Sequence, residues 1–307
     1  MKLLKFSLLL FSLFIFNVVS AQDTTAVKIS LFEYSPEYSK SRARLVMYGT
    51  AGGYVISMSG LYTLWYRNSA SSSFHLFNDN HEWLQVDKAG HAVTSYFVGK
   101  TFFNLMKWSG FSENKATWYG GSVGFLYLTG VEMFDGFSRD WGFSTGDMIA
   151  NTTGAALFIG QQYFWNEQRI ILKYSFHKTE FADYRPDVLG EGLNEQMLKD
   201  YNGQTYWMSA NISSFIKSEN NFPKWLNFAA GYGAEGMTGG FANIRGDVPE
   251  FERYRQYYLS FDVDLSRIPI KKGFAKSLLS TINFIKIPFP AVEFNSKGIV
   301  KFYPFYF

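Results

Sequence analysis

The stretch EMFDGFSRDWGFSTGDMIAN, residues 132–151, gathers four acidic side chains and one arginine within twenty residues. The flanking segments, ATWYGGSVGFLYLTGV at 116–131 and TTGAALFIGQQYFW at 152–165, carry no charge, and each is long enough for a helix. Burying one charge alone in such apolar helices costs several kcal/mol. We therefore expect the charges to meet and satisfy each other at a bend between two helices.

Four apolar, glycine-rich helices are predicted between residues 41 and 165. The first covers residues 45–66, which carry no charge and hold Gly49 and Gly53 in a spacing that permits close helix packing. We expect these helices to bury their apolar faces against one another or against a sheet. Helices that span a membrane are the alternative, because the first and fourth are long enough.

The ends of the other three helices follow from capping residues. The second is predicted to begin at Asp79 or Asn80 and to run past residue 105. The third is predicted from residue 112 through 132, with Gly120 and Gly124 repeating the small-residue spacing. After a turn near 136–143, Ser144 or Thr145 is predicted to cap a fourth helix that ends near residue 165.

After residue 166 the apolar period changes from helical to two. Tyr257, Leu259 and Phe261 alternate with Tyr258, Ser260 and Asp262, which indicates a strand with two different faces. Turn-like clusters near residues 220, 239 and 295 separate similar runs. The predicted strands lie at 169–178, 204–215, 225–232, 257–265, 281–288 and 298–307. Consecutive strands at this spacing favour an antiparallel meander.

The chain ends in IVKFYPFYF, which resembles the C-terminal signal of outer-membrane β-barrel proteins. Pro304 departs from that resemblance because proline cannot donate a hydrogen bond within a sheet. Six strands are also fewer than the smallest bacterial barrels have, although residues 26–32 or 184–201 are candidates for more. The predicted fold class is α+β, a bundle of about four helices followed by an antiparallel β region, barrel-like or half-barrel. A periplasmic sheet under the helices is the alternative.

The first 21 residues, MKLLKFSLLLFSLFIFNVVSA, have the pattern of a secretory signal peptide. An uncleaved anchor is the alternative. We divide the rest into an N-terminal extension at 22–40, a helical domain at 41–165 and a β region at 166–307. The chain contains no cysteine, which excludes disulfides and thiolate ligands to a metal.

The charge balance gives no indication of a nucleic-acid partner. The chain has 29 basic and 26 acidic residues, and without the two lysines of the predicted signal peptide it has 27 and 26. Phe, Trp and Tyr make up 20% of the residues, which suits either a membrane interface or a large aromatic core. The expected location is the cell envelope of a Gram-negative bacterium, in the outer membrane or periplasm, and the expected partner is an envelope lipid or membrane surface.

Three polar motifs lie within the apolar helices: VDKAGH, EMFDGFSRD and FSTGDMIANTTG. Each contains a pair of polar residues three or four positions apart, so both members of a pair project from one face of a helix. The pairs are Asp87 with His91, Glu132 with Asp135, and Asp147 with Asn151. These pairs are expected to form one cluster from three helices.

The motif order DKxxH, an acidic pair, then R-x4-S-x2-D-x3-N-x2-G resembles the domain of unknown function 2279 family, whose members include the YfiM-like predicted periplasmic lipoproteins. It is similar, more distantly, to the VanZ-like family, which has a glutamine where this chain has Asp135. The resemblance covers residues 80–160 and implies a cell-envelope location and four packed helices. It does not extend to a lipobox cysteine or to the β region, and neither family supplies a settled reaction.

Three interpretations of the polar cluster follow. It is a structural hydrogen-bond network, or a hydrolytic or metal site, or a site for a lipid headgroup or polyprenyl phosphate. The catalytic candidates are Asp87, His91, Glu132, Asp135 and Asp147. All of these except Asp135 are also the metal candidates, although the sequence requires no cofactor. The ligand-binding candidates are Lys88, Arg139 and Asn151. As function we expect a lipid-interacting envelope role; a metal-assisted or general acid–base hydrolase of an envelope ester or phosphoester, and a purely structural protein, are the alternatives.

Overall fold

The computed structural model describes residues 31–307 apart from 68–69, 217–221, 245, 247 and 272. The predicted signal peptide and most of the predicted extension lie outside the described residues. The predicted α+β class is confirmed, with helices in the first half and a six-stranded antiparallel sheet in the second.

Four long helices form the first half, close to their predicted positions. The four helices are α1 at Lys40–Leu61, α2 at Val86–Trp108, α3 at Gly121–Gly136 and α4 at Thr145–Trp165. One wide helical turn at Tyr62–Tyr66 follows α1, and short helical segments at Glu113–Lys115 and Ala116–Gly120 precede α3. Among the helices of the described residues, none combines the length and the apolar character needed to cross a bilayer.

Glycines let α2 lie very close to its two neighbours. A Cβ added at Gly124 of α3 would lie 2.0 Å from the Ser95 carbonyl oxygen of α2. A Cβ added at Gly154 of α4 would lie 2.1 Å from the carbonyl oxygen of Ala92. Both distances are far shorter than any non-bonded contact, so only glycine fits at either position. Gly49 of α1 has nothing within 4 Å of such a Cβ, so its spacing is not used for close packing.

Of the two predicted helix caps, one is confirmed and one is wrong. The side chain of Ser144 caps α4 by accepting a hydrogen bond from the Asp147 amide at 3.0 Å. The second helix does not start at Asp79 or Asn80. It begins at Val86, after the 3₁₀ turn Glu82–Gln85. The last three residues of that turn have positive φ angles, which lie outside the α-helical region, so the α-helix starts only after them.

The sheet is a meander in which each strand pairs with the next one along the chain. Its strands are β3 at Ile170–Phe176, β4 at Gln204–Asn211, β5 at Leu226–Glu235, β6 at Tyr254–Val263, β7 at Phe289–Asn295 and β8 at Val300–Tyr306. A separate parallel pair, β1 at Leu76–Phe77 and β2 at Phe143–Ser144, joins the two loops beside the helices.

Two strand predictions are wrong. The segment predicted as a strand at 281–288 contains the end of a helix, α5 at Phe274–Ile282, then a turn, and then irregular chain with one isolated bridge at Ile285. Phe274, Leu278 and Ile282 recur every four residues there, which is a helical rather than an alternating pattern. Residues 184–201, a candidate for an extra strand, instead contain short helices at Phe181–Tyr184, Pro186–Leu189 and Leu193–Lys199.

The sheet curves strongly but does not close on itself. The hydroxyl groups of Thr205 on β4 and Tyr306 on β8 are 2.9 Å apart, although three strands lie between them in the pairing order. The outer edge of β3 is covered in part by the segment before β7, where Tyr174 donates to the Phe284 carbonyl at 2.8 Å. The β region is therefore an open, curved sheet, since β3 and β8 are not paired.

The concave face of the sheet buries charged side chains beside an aromatic cluster of Trp207, Tyr258 and Tyr306, whereas the convex face exposes apolar ones. Lys173, Asp262 and Glu293 on the concave face are fully buried, and Lys173 Nζ lies 2.7 Å from Asp262 Oδ2. The convex face carries large apolar side chains, of which Leu259 is 43% exposed and Phe302 is 65% exposed. Water-soluble sheets place these groups the other way round.

Replacing Gly154 by alanine is expected to destabilise the protein by about 1–3 kcal/mol, because the new methyl group overlaps the backbone of α2. Gly160 lies on the same helix, and a Cβ there would meet nothing within 4 Å. Gly160→Ala is therefore the matched control and should gain about 0.5–1 kcal/mol from its helix preference. Chemical denaturation measures both; equal effects would contradict the close approach of the helices.

The buried Lys286 gives a second prediction. Burial lowers the pKa of Lys286 to about 8, although Asp262 opposes the change. Between about pH 8 and the unfolded value near 10.5, the unfolded chain binds more protons than the folded one, so the free energy of unfolding rises with pH. In Lys286→Met this rise in the free energy of unfolding, on the order of 3 kcal/mol across that pH window, should be absent. The exposed Lys301→Met is the control, and identical pH slopes for wild type and Lys286→Met would contradict the prediction.

Candidate functional site

The polar motifs meet where α2, α3 and α4 lie side by side. α2 supplies Asp87, Lys88 and His91, while α3 supplies Glu132 and α4 supplies Asp147. Loop residue Asp79 and α4 residue Asn151 complete the polar cluster, as we call these seven residues. Its four carboxylates and Asn151 are all less than 10% exposed, and Glu132 is only 1% exposed.

Lys88 holds three carboxylates of the polar cluster together. Its Nζ atom lies 2.7 Å from Asp79 Oδ2, 3.0 Å from Asp87 Oδ2 and 2.9 Å from Asp147 Oδ1. Burial alone would lower the pKa of Lys88, but the neighbouring carboxylates raise it well above its usual value. The lysine is therefore a permanent cation that is already surrounded by negative charge.

His91 faces the other side of the cluster. Its Nδ1 atom is 3.1 Å from Asn151 Oδ1 and 3.8 Å from Glu132 Oε1, and its Nε2 atom is 3.8 Å from Asp147 Oδ1. The Asn151 carboxamide oxygen accepts a hydrogen bond from Nδ1–H. In the neutral imidazole this leaves Nε2, which faces Asp147, as the nitrogen without a proton.

Ser144 ties the start of α4 to the cluster. Its amide donates to Glu132 Oε2 at 3.0 Å, and its hydroxyl donates to Asp79 Oδ1 at 2.5 Å. The same hydroxyl accepts the helix-capping hydrogen bond from Asp147. Asp79, predicted from the sequence only as a helix cap, is thus a residue of the site; as a loop residue it has no helical spacing that would connect it to the other motifs.

Two of the candidate residues lie outside the cluster. Asp135 is next to it but is held by Tyr66, whose hydroxyl donates to Asp135 Oδ1 at 2.5 Å. Arg139 is farther away: its side chain is 71% exposed, and its Nε lies 3.8 Å from Asp140 Oδ1. The arginine proposed for phosphate binding is therefore not brought to the other polar residues.

Carboxyl groups outnumber cations at the site, and their pKa values reflect this. Burial, reinforced by Asp147, raises the pKa of Glu132 to about 9. Burial also raises the pKa values of Asp135 and Asp147 to about 6. For Asp79, burial acts in the same direction, but hydrogen bonds from its neighbours hold its pKa below the usual value. Such a site takes up protons or cations rather than anions.

Removing the central cation should be far more damaging than removing a surface one. Lys88→Met leaves three buried carboxylates without their partner and is expected to cost about 3–5 kcal/mol of stability. Lys107 forms a 2.8 Å ion pair with Glu113 at the surface, so Lys107→Met should cost at most about 1 kcal/mol. Urea denaturation at neutral pH compares the two, and a small loss for Lys88→Met would show that the cluster does not depend on this lysine.

Comparisons with known proteins give one match. Neither the curated proteins nor the solved structures contain a match. A family model described as "Predicted periplasmic lipoprotein (DUF2279)" matches residues 75–161, the segment that contains the whole polar cluster. Its description agrees with an exported protein of the cell envelope, whereas the distant VanZ-like similarity stays a prediction. The resemblance indicated by the motifs is confirmed: residues 75–161 match the DUF2279 family.

Proposed function

We propose that this envelope protein lies against a lipid membrane, with the convex face of its C-terminal sheet in contact with acyl chains. The observation that carries the proposal is the exposed apolar surface of that convex face. An apolar face of this size is unfavourable in water, whereas hydrocarbon solvates it well. In this proposal the protein lies at the outer membrane, one of the two envelope locations predicted from the sequence.

The apolar side chains of the convex face form a continuous row across the sheet. The strand register places Met208, Ala230, Leu259, Val292 and Phe302 side by side on five successive strands. Neighbouring side chains in such a row touch each other, so they present one surface rather than isolated apolar residues.

A second row runs beside the first and is rich in tyrosine. In register, it contains Tyr174, Tyr206, Tyr232, Tyr257 and Phe294. Toward the helices this row is covered, since the Tyr206 hydroxyl packs against Gly90 of α2. Farther along it is open, with Tyr257 49% exposed. Tyrosine next to a purely apolar row is typical of the boundary between hydrocarbon and headgroups.

Exposed apolar side chains also occur on the helical half. Val55 of α1 is 62% exposed, Leu126 of α3 is 62% exposed and Phe164 of α4 is 76% exposed. A single protein partner would cover one such patch. Apolar exposure on both halves of the chain favours a lipid environment over one docked protein.

The polar cluster is not the lipid-binding element in this proposal. An anionic headgroup brought there would meet an excess of carboxylates, and Lys88 is already shared among three of them. Arg139, the best candidate for phosphate, does not reach the cluster. The lipid contact is therefore assigned to the apolar surface, which requires no charge.

Flotation with vesicles of uncharged phosphatidylcholine tests the proposal, because such vesicles offer no net charge to attract the protein. The full chain is expected to float with the vesicles. Leu259→Asp combined with Phe302→Asp should abolish flotation, because each charge in the apolar row would have to enter hydrocarbon. Circular dichroism verifies that the double variant is folded.

The matched control is Lys301→Asp, which places the same charge at an exposed position of β8 next to Phe302. It should float like the wild type. The proposal fails if the wild-type chain stays at the bottom of the gradient. It also fails if the double variant floats as well as the control does.

A further inference from the structure

We propose that His91, Glu132 and Asp147 bind one divalent transition-metal cation of the zinc class at the junction of α2, α3 and α4. Each of the three residues offers one ligand atom, and these atoms all lie within 4.8 Å of one another. Ligands bound to one ion at about 2.0–2.2 Å lie within such distances of each other. Only small side-chain adjustments are then needed to close the three groups around an ion.

A second set of three carboxylates, next to the proposed ligands, shows how the protein offsets negative charge here. Asp79, Asp87 and Asp147 also lie within 4.8 Å of one another, and the Lys88 ammonium sits among them. Asp147 belongs to both groups. Among the described residues, Glu132 has no lysine or arginine within ion-pair distance and faces His91 instead. Lys88 thus offsets part of the charge of one group, whereas the Glu132 carboxyl of the other group has only His91 as a basic neighbour.

Unpartnered oxygens at the cluster are an independent sign of a cation. Asp87 Oδ1 and Asp147 Oδ1 have no hydrogen bond from a donor among the described residues. Both oxygens are buried, since Asp87 is only 7% exposed and Asp147 only 5% exposed. Asp147 Oδ1 forms an ion pair with Lys88 Nζ at 2.9 Å that does not meet hydrogen-bond geometry, and it is 3.8 Å from His91 Nε2. Leaving a buried acceptor unsatisfied costs about 1–3 kcal/mol, and a metal ion would satisfy it.

Neighbouring groups already orient the proposed ligands. The Asn151 carboxamide oxygen accepts from His91 Nδ1–H, which leaves Nε2 available for the metal. The Ser144 amide fixes Glu132 Oε2, and Glu132 Oε1 lies 3.8 Å from His91 Nδ1, so Glu132 would reach an ion at Nε2 by rotation of its own side chain. Metal-binding histidines and carboxylates are commonly held by such hydrogen bonds.

The mixture of ligand atoms selects the class of ion. One imidazole nitrogen and two carboxylate oxygens suit zinc and its first-row neighbours. Calcium and magnesium prefer sites made of oxygen ligands alone. Three protein ligands also leave a position open for a water molecule or another ligand.

Isothermal titration of the chelator-treated full chain with Zn²⁺ tests the proposal, with Ca²⁺ titrated in parallel. We expect one Zn²⁺ per chain, weaker Ca²⁺ binding, and a rise in melting temperature with added Zn²⁺. Asn151→Ala should weaken Zn²⁺ binding about 10-fold to 100-fold. His91→Gln and Glu132→Gln should weaken it further, because each removes a ligand.

His81→Gln is the matched control, since His81 is an exposed histidine outside the cluster. It should bind Zn²⁺ like the wild type. Circular dichroism verifies folding, and the nearly isosteric Glu132→Gln supplies the decisive comparison if His91→Gln does not fold. The proposal is overturned if no stoichiometric Zn²⁺ binds. It is equally overturned if Glu132→Gln binds as tightly as the wild type, or if Ca²⁺ binds as tightly as Zn²⁺.

Discussion

The contact between the Lys88 ammonium and three carboxylates is the interaction on which the helical half depends. Its partners come from the loop before α2, from α2 itself and from α4. Each carboxylate would be costly to bury alone. Moving any of these segments away would therefore leave an unpaired charge in an apolar interior. The glycines of α3 and α4 provide the other half of the arrangement, since they bring the backbones close enough for short polar side chains to meet.

Much of this arrangement was predictable from residue spacing. Asp87 with His91, and Asp147 with Asn151, are four residues apart on long apolar helices, and that spacing alone places each pair on one face. The strands were predictable for the same reason wherever apolar and polar residues alternate, as between Tyr257 and Asp262. What the alternation does not reveal is which face is outside, because the inner face of this sheet contains buried charged groups as well as aromatic ones.

Other features depend on contacts between distant segments and could not be read locally. Asp79 binds Ser144, 65 residues away, and no periodicity connects the two. The start of α2 was misplaced because three residues with positive φ precede it, and none of the three is a glycine that would signal that conformation. Arg139 was expected at the site because it belongs to the second polar motif, but it lies in the turn after α3 and its side chain extends into solvent.

Ser144 performs two tasks with one side chain and one amide. It closes the first turn of α4, and it also holds Glu132 and Asp79. The first turn of α4 and the polar cluster therefore depend on the same atoms of Ser144. Local unfolding at the start of α4 would therefore also separate the residues of the polar cluster, without any unfolding of the sheet.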